Sequence, residues 1–229
     1  MSVEQALETG VVDEIIVINN NAEQGTSAEV AKTSAREVFE VKQGYGHAIR
    51  RGFSETRGDL IVVSEPDGTF TGKDILKLLA YADDFPVVFG TRTCTALYAG
   101  NEQANMRMFV RYGNVMIAKL IELLFNTVTL TDVGCTMRLF DRKALASIAP
   151  SFRSGGSDFG LELMLLTITS NIRWVQIPVS YRPRVGKSSV TGDLNKALAL
   201  GLRMVVLVAR TWASRFWRPR FKKQAFSPG

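Results

Sequence analysis

Short runs of consecutive aliphatic residues alternate, through the first half of the chain, with longer stretches whose apolar positions recur every three or four residues. Asp13–Asn19 holds Ile15, Ile16, Val17 and Ile18 before Asn19-Asn20-Asn21, a strand followed by turn chemistry. Ser27–Glu37 has a helical pattern, with Ser27 as N-cap and Glu29 and Glu37 on its polar face. A short strand at Val38–Val41 leads to Gly44-Tyr45-Gly46 and a helix over His47–Thr56. Leu60–Val63 reads as a buried strand, Lys73–Ala82 as a helix and Pro86–Gly90 as another buried strand. Such regular alternation predicts an α/β fold with a mostly parallel sheet flanked by helices.

The second half is more helical. Helices are predicted over Asn105–Phe125, Phe159–Thr169 and Leu194–Trp217, and strands over Cys135–Phe140 and Arg173–Tyr181, with Arg182–Asp193 a polar loop. The change of character divides residues 1–193 near Arg92–Asn105 into halves, 1–92 and 93–193, followed by a tail at 194–229. No spanning helix is expected: the best candidate, Ala197–Ala209, is about 13 residues long with Arg203 inside it, against the roughly 20 needed. Nor does an early apolar run suggest a signal peptide, because Glu4, Glu8, Asp13 and Glu14 interrupt it.

Charge sharpens that division. The net charge of +6 is not spread over the chain: Leu194–Gly229 carries eight basic residues and no acidic ones, leaving residues 1–193 with 20 basic and 22 acidic. A near-neutral body excludes a nucleic-acid binder with a basic face over its whole domain. Lys196, Arg203 and Arg210 recur every seven residues among leucines and valines, and Trp212, Phe216 and Trp217 close the helix. Basic residues with aromatics on an amphipathic helix suit an anionic membrane surface, and equally a core helix with a solvated stripe. With two cysteines, Cys94 and Cys135, and one histidine, His47, the chain offers neither a disulfide framework nor a His-rich metal site, so a reduced, cytoplasmic setting is expected.

Candidate chemistry gathers at strand ends. Glu65-Pro66-Asp67 follows a buried strand, and residues two apart in extended chain point to the same side. Two carboxylates beside the crevice of an α/β sheet suit a divalent cation bridging a diphosphate, although Pro-Asp-Gly is also a turn signal. Gly44-Tyr45-Gly46 lets backbone approach a nucleotide or simply punctuates a helix start. Asn19-Asn20-Asn21 offers amides to a base or ribose, or a turn. Arg182–Ser189 sets three cations and two hydroxyls on a loop, the side chains that neutralise phosphate, and Arg92 is a further cation at the sheet edge. Asp132, Asp158 and Glu162 are candidate carboxylates, with helix capping the alternative for Asp158.

Taken in order, six segments resemble a family 2 glycosyltransferase of GT-A (Rossmann-like) fold, closest to members like dolichyl-phosphate mannose synthase. They are VINNNAEQGT (Val17–Thr26), GYGHAIRRG (Gly44–Gly52), GDLIVVSEPDG (Gly58–Gly68), Gly90-Thr91-Arg92, DVGCTMR (Asp132–Arg138) and RVGKSS (Arg184–Ser189). The resemblance spans about Val12 to Arg203 and implies inverting transfer of a sugar from a GDP- or UDP-sugar. It implies Mg²⁺ or Mn²⁺ at Glu65 and Asp67, donor contacts from Asn20, Gly44, Gly46, Arg184, Lys187 and Ser188, and catalytic roles for Asp67, Asp132 and Arg92. Arg92 would face the acceptor. A lipid-phosphate acceptor, polyprenyl or dolichyl, needs no general base, whereas a hydroxyl acceptor would need one, Asp132 first. The resemblance also implies a peripheral site on the cytosolic membrane face.

Three features depart from the family pattern. Glu65 stands at the first Asp-x-Asp position, so a carboxylate is kept there. Asn19, Asn20, Ala22 and Gln24 stand where the family has Asp, Asp, Ser and Asp. The family's first strand and its Pro-x-Tyr-Asn-Glu loop have no counterpart in this sequence, which implies unpaired neighbouring strands and an open pocket. The alternative reading is a catalytically impaired, membrane-associated nucleotide-sugar-binding protein.

Overall fold

The computed structural model describes residues 1–93, 108–182, 185 and 194–217, with backbone alone at 108–110, 194–196 and 216–217. Strand β1 (Ile16–Asn19) pairs in parallel with β2 (Arg36–Phe39), Ile16 opposite Arg36 and Asn19 opposite Phe39. β3 (Leu60–Val63), β4 (Val87–Thr91), β5 (Arg138–Asp141) and β6 (Trp174–Pro178) form a second sheet in the order β3-β5-β4-β6. Among the described residues β1 has only β2 as ladder partner and β3 has only β5.

The second sheet is less parallel than the alternation predicts. β5 runs antiparallel to both neighbours, while β4 and β6 are parallel. Its direction follows from where the chain returns. The amide of Arg92, just beyond β4, donates to the Asp132 carboxylate, and the Thr93 hydroxyl donates to the Thr131 carbonyl. The segment leaving β4 and the one entering β5 therefore meet at the same end of the sheet. A parallel strand would need a crossover to the opposite end.

Both faces of this sheet are covered, which is why β4 is buried along its whole length. Val87 and Phe89 of β4 and Phe140 of β5 face one side, with α3 (Tyr45–Glu55), α5 (Met108–Phe125), α6 (Arg142–Ile148) and α7 (Phe159–Thr169) packed there. Val88 and Leu139 face the other side, under α1 (Val3–Leu7) and α4 (Gly72–Leu79). Period-two alternation thus splits two adjoining strands between two cores. Helix α7 is apolar around most of its circumference because α3, α6 and α8 (Leu194–Trp217) close on it.

The predicted strand at Leu60–Val63 and the helices at Phe159–Thr169 and Leu194–Trp217 have the expected bounds. The helix expected over Ser27–Glu37 is shorter: α2 spans Thr26–Val30, capped by Gly25 rather than Ser27. Its end is set by Thr33, whose hydroxyl donates to the Val30 carbonyl and accepts from the Ala35 amide. Glu37 consequently lies on β2, where it accepts hydrogen bonds from Asn19 and Ser27. Residues 194–217 also extend further than the expected apolar run. Ala197–Arg215 is 19 residues with mean hydropathy 1.4, long and apolar enough to cross a membrane by length and composition, and 11% of it is buried.

Candidate active site

The C-terminal ends of β1, β3, β4 and β6 and the N-terminal approach to β5 supply the candidate residues, the usual position of a ligand crevice in an α/β sheet. Beyond β3, the chain turns at Asp67, whose Oδ1 accepts from the Thr69 amide (3.0 Å) and hydroxyl (2.6 Å). Gly68 sits at φ +78°, and a Cβ there would lie 3.2 Å from Val185. That bare surface admits the segment after β6. The Arg182 amide donates to the Thr69 carbonyl (2.9 Å) and the Val185 amide to the Asp67 carbonyl (2.8 Å). Arg182 and Val185 are therefore both tied to the Asp67–Thr69 turn. Arg184, Lys187 and Ser188 themselves lie outside the described residues.

Glu65 and Asp67 are half-buried carboxylates two residues apart, hard oxygen donors of the type Mg²⁺ and Mn²⁺ accept. The described residues contain no group of three or more His, Cys, Asp or Glu able to hold a metal. Mg²⁺ is commonly held by one or two carboxylates together with substrate phosphates and water, and Glu65 and Asp67 would supply the carboxylates. The donor set fits such an ion.

Asp74 fastens this corner. Its Oδ1 accepts from the Ser180 amide (2.9 Å) and Lys77 Nζ (2.7 Å), and its Oδ2 from the Thr71 amide and hydroxyl. Burial pushes the Asp74 carboxyl up, but Lys77 and the two amides outweigh it and hold it below its ordinary value. The sequence marks Asp74 only as the third helical residue of a Thr71-x-x-Asp74 capping box, not as the tie between α4 and the segment leading to the basic loop.

Arg92 and Asp132 form a buried bidentate pair. Arg92 Nε lies 2.8 Å from Asp132 Oδ2 and Nη2 3.0 Å from Oδ1, and the amides of Arg92 and Gly134 also donate to the carboxylate. Burial raises the Asp132 carboxyl, and the Arg92 guanidinium and the amides reverse this, leaving it below its ordinary value. The Asp132 carboxylate thus accepts four hydrogen bonds, two of them from the Arg92 guanidinium. The Arg92 side chain is 13% exposed, and its guanidinium lies 5.2 Å from the Tyr181 ring centroid.

Gln176, in the middle of β6, holds the same corner. Its Oε1 accepts from the Thr131 amide (2.7 Å) and its Nε2 donates to the Asp132 carbonyl (2.7 Å). Arg138 closes the Asp132–Arg138 segment on itself by donating to the carbonyls of Cys135, Val133 and Gly160. Sequence reasoning missed Gln176, since one polar residue in a strand carries no mark of what it faces.

The third group is joined through its own polar atoms. Asn20 Nδ2 donates to the carbonyls of Glu40 and Lys42, and its Oδ1 accepts from the Gly44 amide (2.7 Å). The amides of Gly46 and His47, at the start of α3, both donate to the Gly155 carbonyl. The close backbone approach that the glycines permit is made here by Gly155: a Cβ on Gly46 would lie 2.8 Å from its carbonyl carbon. Asn20, Gly44 and Gly46 are thus brought together, with the amide of Asn20 engaged inside the protein. The Gly155 loop is tied in turn by Glu162, which accepts from the amides of Arg153 and Ser154.

A sheet covered by helices on both faces, a carboxylate turn in contact with the segment after β6, and a buried Arg–Asp pair just beyond β4 agree with a glycosyltransferase of GT-A type. The chain belongs to the family described as Glycosyl transferase family 2, whose profile matches residues 2–149. An uncharacterized glycosyltransferase of Mycobacterium tuberculosis is 28% identical over 185 residues, 80% of each chain. A dolichyl-phosphate hexose transferase of Haloferax volcanii is 26% identical over 176 residues, 76% of this chain and 73% of that one. The dolichyl-phosphate beta-glucosyltransferase of Saccharomyces cerevisiae is 25% identical over 155 residues, 62% of this chain and 46% of its own length. In fold, the chain is similar to glucosyl-3-phosphoglycerate synthase of Mycobacterium tuberculosis solved with Mn²⁺, UDP and phosphoglyceric acid, with TM-score 0.67 and 16% identity over 92% of this chain and 74% of that one.

Proposed function

We propose that this chain moves a hexose from a UDP- or GDP-sugar to a lipid phosphate of the polyprenyl or dolichyl class, with inversion, at the cytosolic face of a membrane. One observation carries the choice of acceptor: the Asp132 carboxylate is fully engaged by Arg92 and two amides. A hydroxyl acceptor must lose a proton as it attacks, and Asp132 is badly placed to take it. A phosphate oxygen is already anionic. It forms the new bond to the anomeric carbon as the bond from that carbon to the donor diphosphate breaks on the opposite side, and the nucleoside diphosphate leaves. Two relatives whose names give dolichyl phosphate as the acceptor support the reading.

In this scheme Arg92 neutralises the acceptor phosphate at the crevice edge, while Asp132 and Gln176 position it. Glu65 and Asp67 hold Mg²⁺ or Mn²⁺; when bound, the metal stabilises the negative charge building on the leaving diphosphate. Arg184, Lys187 and Ser188 take the diphosphate, and Asn20, Gly44 and Gly46 shape the wall beside the nucleoside. Residues 1–92 act as the donor half, 93–193 as the acceptor half, and 194–229 as the membrane-facing tail.

Calorimetric titration with UDP and GDP tests the donor site. Heat that requires Mn²⁺ and disappears in Asp67→Ala is expected; no heat with either nucleotide would overturn the donor assignment. A second reading, a membrane-associated nucleotide-sugar-binding protein impaired in catalysis, draws on the internal engagement of Asn20 and of the first α3 amides. Nucleotide binding without sugar transfer would favour it.

A further inference from the structure

Helices α5 and α8 pack against one another and share one inner face. Ile117 and Ile121 of α5 enter the same core as Met204 and Val208 of α8, and Arg215 stacks 5.4 Å from the Phe125 ring centroid at the end of α5. Their other faces turn to solvent, and each carries an apolar stripe. On α5, Tyr112, Met116 (71% exposed) and Leu123 (80% exposed) form one stripe; on α8, Leu198, Leu202 (68% exposed) and Val205 form another at i, i+4, i+7 spacing. Exposure of this kind on two adjoining helices is unusual for an isolated soluble chain and marks an interaction surface.

We infer that α5 and α8 together form a docking platform that lies flat on an anionic lipid bilayer. Charge identifies the occupant. Arg203 and Arg210 are exposed on α8, and the segment from Leu194 onward has eight basic residues and no acidic one. A second copy of the chain would bring two such segments together and repel, whereas an anionic leaflet attracts each nearby basic residue. On α5, Lys119 is paired with Glu122, so its stripe adds apolar area without opposing charge.

The orientation follows from the same residues. Ala197–Arg215 is long enough to span, yet Met204 and Val208 are held in the protein core, and Arg203 and Arg210 would carry two charges into the apolar layer. The helix therefore lies in the interface plane. The platform also leads to the site. Arg111, in the first turns of α5, donates to the Thr93 carbonyl, and a Cβ on Gly134 would lie 2.9 Å from Asn114 Oδ1. A lipid in the docked leaflet would thus reach the Arg92 edge along α5, a consequence that rests on the lipid-phosphate reading.

Vesicle co-sedimentation of the full chain tests the platform, using phosphatidylcholine alone and mixed with phosphatidylglycerol, and containing no polyprenyl phosphate. Binding is therefore read independently of acceptor chemistry, so its failure is distinct from failure of sugar transfer. Binding to the mixed vesicles and release by high salt are expected. Met116→Glu and Leu123→Glu on α5, and Leu202→Glu on α8, should each weaken partitioning about tenfold or more, with circular dichroism and melting unchanged because these side chains are exposed. Equal binding to both vesicle types, retention in high salt, or native binding by the two α5 variants would overturn it. So would self-association that the same variants abolish, which would assign the face to a second copy.

Discussion

Asp132 illustrates how much a single side chain depends on its neighbours. Its motif made it the first choice for a proton acceptor, because sequence registers a carboxylate and not the four donors around it. Burial and the Arg92 fork engage both of its oxygens, and in the proposed function it is an anchor for Arg92. Arg92→Ala would leave a fully buried carboxylate with two amides, and urea denaturation should show a loss of about 3–5 kcal/mol. Asp132→Asn in that background should cost less than the two single losses combined, because the charge is then gone. The pH dependence has a definite sign. Asp132 is depressed below its ordinary 3.8, so the stabilisation is present above that value and lost as pH falls through the lower folded value. A penalty for Arg92→Ala that grows on acidification would contradict the ion pair. Cys135 gives a second residue-level expectation: burial pushes its thiol up to about 12, so iodoacetamide at mildly alkaline pH should leave it unmodified until the chain unfolds.

At the scale of elements, local pattern and long-range constraint divide cleanly. The bounds of β3, α7 and α8 were legible because each is an uninterrupted periodic run. The early end of α2 was not, since Thr33 ends it by side-chain bonds to the backbone. Helix α6 was missed although Asp141 caps it through the amides of Lys143 and Ala144, a readable signal. The reversal of β5 depends on contacts across 40 residues, which no local period records. Likewise, Gly44-Tyr45-Gly46 announced a close approach without saying to what. The partner is the Gly155 loop, where a Cβ would come 2.0 Å from the His47 ring. Gly155→Ala should therefore destabilise by about 1–3 kcal/mol through overpacking, and adding His47→Ala should recover most of it. Unchanged melting of Gly155→Ala would remove that account of the glycines.

Over the whole molecule, six segments separated by long stretches of sequence carry the resemblance, and their order was enough to point to the family, whose profile matches residues 2–149, before any contact was known. The positive excess at the C-terminal end, visible in the sequence as a simple count, gains meaning only beside α5, whose exposed apolar stripe no charge pattern announces. The central claim is that Arg92 and Asp132 serve an acceptor that is already anionic, opposite a metal-held donor. Transfer of labelled sugar from a panel of UDP- and GDP-sugars to a polyprenyl phosphate and to the matching polyprenol tests it most directly. The account predicts transfer to the phosphate and not to the alcohol, abolished by EDTA and by Glu65→Ala or Asp67→Ala. Transfer to the alcohol alone, or transfer to the phosphate that survives EDTA and both substitutions, would contradict it.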